Sequence, residues 1–176
     1  MARKEPDDNV VIDHPNRDKA ASKATKSGTI LLLLVSVALI LLVTLGGWSS
    51  LQGAQFVSIL YVIIYLVMAY FIARWSRGVL PLAAALAVIL LVFAAIAAPG
   101  WFSRDATGYD NPGIPPGLIG LLCVVLIPVQ LLLIAFAMRG FQQKWNVEVE
   151  RRADGSDRGE PSGDRGSGGY EPAPQT

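Results

Sequence analysis

The chain has 176 residues, 15 Lys and Arg against 14 Asp and Glu, and a composition that is 52% hydrophobic and only 16% charged. That balance lies well on the apolar side of an ordinary globular domain, where about 25% of residues are charged. The near-zero net charge argues against nucleic acid as a partner, which would call for a basic patch or stripe, and the single cysteine, Cys123, excludes an intrachain disulfide and a Cys-based metal cluster.

Charge is confined to the ends and loops. Residues 1–28 are polar and mixed in sign, too poor in apolar side chains to build a core, and read as a disordered tail with scope for a short surface helix near 16–27. From Ser27 to Ala73 there is no Asp, Glu, Lys or Arg. Residues 29–47 form the first predicted span. At 1.5 Å per residue, about 20 residues cross the roughly 30 Å hydrocarbon core of a bilayer. The run is longer than a secretory signal core of about 7–15 residues and lacks a small-residue cleavage site, so it reads as a retained anchor.

A short uncharged turn with Gly53 leads to the second predicted span, 55–73, which must run antiparallel to the first. The turn Arg74-Trp75-Ser76-Arg77-Gly78 carries two positive charges and precedes the third span, 79–98, with Pro81 in its first turn, where a missing N–H costs little. Residues 99–116, with four prolines, form the one long loop. The fourth span covers 117–138, a juxtamembrane segment 139–152, and a Gly- and Pro-rich tail 153–176 that reads as disordered. The predicted fold is an all-α integral membrane protein, an antiparallel four-helix transmembrane bundle with disordered cytoplasmic tails.

Topology follows from where the cations fall. Fourteen of the fifteen Lys and Arg lie in the two tails and the 74–78 turn, and only Arg104 lies in the opposite loops. Short loops rich in Lys and Arg stay in the cytoplasm, so both termini are expected there. Trp48 and Trp101 fall at the outer ends of the spans and Trp75 and Trp145 at the inner ends, as expected of anchors at the headgroup level, where an apolar ring with one N–H is best placed. Arg outnumbers Lys ten to five and Ala and Gly are plentiful, the usage of a GC-rich bacterial genome.

Charged residues inside spans mark transport paths and proton relays, and these spans carry none. That weakens proton-coupled antiport and intramembrane hydrolysis alike. His14 lies in the tail and cannot reach Cys123 in the bilayer, so Cys123 reads as a small packing residue and the chain as a non-enzyme without a cofactor. The 105–110 run lacks the ligand spacing and closing Glu of a calcium loop and reads as a solvated turn.

Polar residues within the spans are therefore the candidates. Gln55, Ser58, Tyr61 and Tyr65 are spaced three, three and four apart, which puts them on one face of the second span. Tyr61 and Tyr65 lie near mid-bilayer, where an unpaired hydroxyl is costly, and Gln130 in the fourth span is the expected partner. The face serves either as an interhelical packing contact or as a polar lining for a pore or cleft. Pro128 removes one backbone hydrogen bond at the middle of the fourth span and is a candidate hinge whose freed carbonyl would lie beside Gln130. Ala83, Ala87, Ala94 and Ala98 make a small-residue stripe suited to close helix packing, within one chain or against another. The segment from Phe141 to Arg152 reads as a helix end at the interface, with docking to a partner as the other reading.

Two function classes follow. The first is a non-catalytic accessory, scaffold or assembly subunit, whose partners are the lipid bilayer and a membrane protein or further copies of the chain. The second is a small oligomeric transporter or channel built on the polar cluster of spans two and four.

Overall fold

The computed structural model describes residues 10–13, 15–51, 53–104, 113–143, 145 and 149–152. In chain order the elements are β1 (Val10–Asp13), α1 (Pro15–Asp18), α2 (Ala20–Gly46), α3 (Ala54–Ala73), α4 (Val79–Ser103), α5 (Pro116–Gln142) and β2 (Val149–Arg152), with a 3-10 turn at Trp48–Ser50. The chain divides into two units, residues 14–147 and a unit of residues 1–13 with 148–176.

Residues 14–147 form the antiparallel four-helix bundle. Each of α2, α3, α4 and α5 is long and apolar enough to cross a membrane, and their 27, 20, 25 and 27 residues all reach the length a bilayer requires. The order of packing is α4 on α5, α5 on α2 and α2 on α3, while α3 and α4 meet only sparsely. The large apolar side chains on the outside, Phe56 at 81% and Ile96 at 72% exposure among them, would be an aggregation liability in water and suit a surface facing acyl chains. The loop end of the bundle holds Gly53, and the tail end is where the chain joins its terminal segments.

Turn chemistry explains the connections. Gly53 has φ +97°, with open space around it, a left-handed conformation that glycine adopts without steric cost. At the other end, Trp75 takes φ +64°, unusual for a bulky residue. Its ring stacks edge-to-face on Trp145, with centroids 5.4 Å apart, and Lys26 Nζ lies 4.0 Å from its centroid. Those contacts hold the strained backbone in place.

Three boundaries differ from the sequence reading. The first span does not begin at 29: α2 starts at Ala20, so residues 20–28, read as tail with scope for a separate short surface helix near 16–27, are continuous with the span. Thr25 and Thr29 donate to the carbonyls of Ala21 and Thr25, each at 2.8 Å, and Gln143 Nε2 donates to Thr25 Oγ1 at 3.0 Å. Tertiary contact with the end of α5 thus orders a stretch whose composition alone would not. The third span does not stop at 98. α4 runs through Pro99 to Ser103, because buried Trp101 packs against Gly47, where an added Cβ would come 2.6 Å from its ring. The fourth span extends past Met138 to Gln142.

In the second unit, β1 and β2 form a two-stranded antiparallel ladder with Val10 opposite Arg152 and Asp13 opposite Val149. The tails were expected to be disordered up to residue 28 and the 141–152 segment to end as a helix at the interface. Four residues of each are strand instead, in keeping with the β-branched Val10, Val11, Ile12 and Val149. Residues 153–176, His14 and the 105–110 run lie outside the described residues.

Candidate functional site

The inward stripe of α2 carries polar residues three, four, seven and eight apart in turn, spacings of one or two helical turns that keep them on one face. Ser22, Thr25, Thr29, Ser36 and Thr44 are all buried. In hydrocarbon each hydroxyl needs a partner. Ser36 Oγ donates to the carbonyl of Leu32 at 2.7 Å, one turn back along its own helix.

That leaves Ser36 Oγ able to accept, and Gln130 Nε2 on α5 donates to it at 2.8 Å. The other end of the amide, Gln130 Oε1, accepts a 3.0 Å hydrogen bond from the hydroxyl of Tyr65 on α3. Tyr65, Gln130 and Ser36 are each 0% exposed. The donors run in one direction, from Tyr65 through Gln130 and Ser36 to the Leu32 carbonyl, and join three helices. The three side chains are buried together and bonded to one another.

The face expected on the second span therefore divides. Only Tyr65 enters the network with Gln130. Tyr61 sits edge-to-face on Tyr65, with centroids 5.8 Å apart, and its other side lines a cavity. Ser58 donates to the carbonyl of Ala54 at 3.2 Å. Gln55 is not part of the cluster: its Oε1 accepts from the Gly53 N–H at 2.7 Å and its Nε2 donates to the Trp48 carbonyl at 2.9 Å. It closes the turn at the loop end. Helical spacing reports direction around the axis and says nothing of depth.

The cavity has a volume of about 390 Å³. It occupies the loop-end half of the bundle, between α2, α3, α4 and α5, with Leu51 and Trp101 toward one end and Tyr61 and Leu126 toward the other. Aliphatic side chains and Phe93 make up most of the wall; Thr44, Ser58, Tyr61, Cys123 and Trp101 are the lining residues that carry polar groups, and no Asp, Glu, Lys, Arg or His lines it among the described residues. Tyr65 and Gln130 are not part of the wall.

Pro128 is exposed on the outside of α5 while Gln130 is buried, because two residues turn a helix by about 200°. α5 continues through it as one helix. The alanine stripe is inward: Ala83, Ala87, Ala94 and Ala98 are all buried within the chain, on the helix that packs most extensively against α5.

The four tryptophans do not share one role. Trp48 is 50% exposed and free to sit at an interface, whereas Trp101 and Trp145 are buried. At the tail end, Trp145 Nε1 donates to Gln143 Oε1 at 3.0 Å, and its carbonyl accepts from Arg17 Nε at 3.3 Å. With Trp75, half-buried beneath Lys26, it forms a packed aromatic and basic cluster. Trp101 lies at the end of α4 and Trp145 just past the end of α5, and both are packed within the protein there.

Sequence reasoning missed Ser36 and Thr44. Their signal was present in the seven- and eight-residue steps from Thr29 to Ser36 and Thr44, two helical turns each, but small hydroxyls in an apolar run are so often satisfied by their own helix that nothing marked these two out.

The fold and this interior define a multi-pass membrane protein: a four-helix bundle locked by a buried polar network, with an apolar cavity beside it. No protein-family model, curated protein or solved structure matches the chain.

Proposed function

We propose that the chain is a non-catalytic accessory, scaffold or assembly subunit of a membrane complex, resident in the cell membrane of a bacterium with both termini in the cytoplasm. One observation carries the functional part: Tyr65, Gln130 and Ser36 are fully buried and use their polar groups on one another. A transport path needs polar or charged groups that a substrate can reach. Here the strongest polar cluster within the membrane-spanning helices ties helices together. Such bonds average about 0.6 kcal/mol each in membranes, enough to fix the register of one helix against another.

The orientation rests on the sorting of fourteen of the fifteen Lys and Arg to the tails and the 74–78 turn. The bacterial assignment rests on the excess of Arg over Lys and the abundance of Ala and Gly.

A small oligomeric transporter or channel is the second reading, favoured by the cavity at Tyr61. It is the weaker of the two because Tyr65 and Gln130, its required polar lining, lie outside the cavity wall.

The test is thiol accessibility in a Cys123→Ser background. Ser36→Cys nearly preserves the side-chain shape and should resist a water-soluble maleimide in sealed vesicles of either orientation. Gly78→Cys, exposed in the tail-end turn, should label readily and serves as the positive control. Ready labelling of Ser36→Cys would place water at the network and favour the transport reading.

A further inference from the structure

We propose that the cavity between α2, α3, α4 and α5 binds an uncharged ligand dissolved in the bilayer, namely an apolar chain carrying a single hydroxyl or carbonyl group. The inference does not depend on the accessory-subunit reading. At about 390 Å³, the cavity falls within the roughly 300–1,000 Å³ typical of small-molecule sites. Its wall is mostly aliphatic and offers no counter-ion, so a charged headgroup would be buried unpaired at heavy cost.

The route in is lateral. Val57 on α3 and Phe93 on α4 line the cavity and are also exposed on the outside of the bundle, at 48% and 49%. These two helices meet only sparsely. The mouth therefore lies between them and faces acyl chains, which favours a ligand arriving from the membrane.

Thr44 supplies the polar requirement. Thr25, Thr29, Ser36 and Ser58 each donate to the carbonyl four residues back. Thr44 departs from that pattern. It forms part of the cavity wall, it is 3% exposed, and its Oγ1 has no hydrogen-bond partner among the described residues. A buried hydroxyl without a partner is destabilising, and a ligand oxygen beside it would remove that penalty. Thr44 lies in the last turn of α2, near the loop end. The ligand's polar group would sit there, with its apolar chain toward Tyr61, Leu126 or the mouth.

The experiment uses the full chain in phosphatidylcholine vesicles, photolabelled with a long-chain alcohol bearing a diazirine. Saturable labelling is expected, with adducts in 40–61 and 90–97. Unlabelled hexadecanol should compete well and hexadecane poorly. A long-chain benzoquinone competing better than hexadecanol would assign a carbonyl head, and the reverse a hydroxyl head; either supports the site. Thr44→Val keeps the side-chain shape and should raise the half-saturating concentration about threefold to tenfold, the loss of one hydrogen bond. Ala94→Phe fills the cavity and should abolish labelling, with thermal unfolding recorded to separate loss of the site from loss of the fold. Non-saturable labelling spread over outward positions such as Phe56 and Ile96 would mean bulk bilayer contact and overturn the proposal. Equal competition by hexadecane, or no effect of Thr44→Val, would also overturn it.

Discussion

Tyr65 and Gln130, 65 residues apart in the chain, are joined by a 3.0 Å hydrogen bond between fully buried side chains. Because Gln130 also donates to Ser36, one amide holds α5 to both α2 and α3. Gln130→Leu keeps the apolar bulk and removes both bonds. At about 0.6 kcal/mol for each interhelical bond, the expected loss is on the order of 1 kcal/mol of bundle stability, read from unfolding in detergent. Tyr65→Phe combined with Gln130→Leu should cost less than the sum of the single changes, with a coupling near 0.6 kcal/mol. Strict additivity would mean that the two residues do not interact.

The two turn glycines should respond in opposite directions. Gly53 has φ +97° with nothing nearby for a Cβ to strike, so Gly53→Ala should destabilise by about 1–2 kcal/mol through backbone strain alone. Gly78 has φ −63° and ψ −19° and is equally open. Gly78→Ala should stabilise by about 0.4–1 kcal/mol, since alanine restricts the unfolded chain without strain in the folded one. Unfolding midpoints of the two variants give the signs directly.

Trp145→Ala and Trp48→Ala separate a buried tryptophan from an interfacial one. Trp145 is 0% exposed and packs on Trp75, so its removal should cost about 3–5 kcal/mol. Trp48 is half exposed at the loop end, and its removal should change detergent-solubilised stability by no more than about 0.5 kcal/mol. Similar losses for the two would mean that the packing of Trp145 on Trp75 contributes no more than the half-exposed ring of Trp48.

Orientation is checked with a reporter active only outside the cytoplasm. Fused after Asp110 it should be active, and fused after Arg152 it should be silent. The reverse pattern would invert the topology argued from the cations.

The four helices were legible because a bilayer imposes one requirement, about 20 consecutive apolar residues, that the chain meets four times. Helix ends were less so. Ala20 to Gly28 is ordered by contacts such as Gln143 with Thr25, and Pro99 is carried inside α4 by the burial of Trp101; neither contact exists until the helices meet. The pairing of Tyr65 with Gln130 could be anticipated because both are polar, inward and near mid-span. Ser36 could not be singled out, since a serine bonded to its own helix looks complete. Gln55 was misplaced because a shared helical face does not distinguish the bundle interior from the turn at its end. Pro128 was linked to Gln130 by closeness in sequence, although two residues along a helix lie on nearly opposite sides.

The most direct test of the accessory-subunit reading is to weigh the intact particle extracted from its native membrane in a mild detergent. The expected result is a complex containing this chain and a different membrane protein in fixed ratio, which survives purification and is lost when the chain is deleted. A particle made only of copies of this chain would contradict that reading, and flux measurements in liposomes would then be the next step.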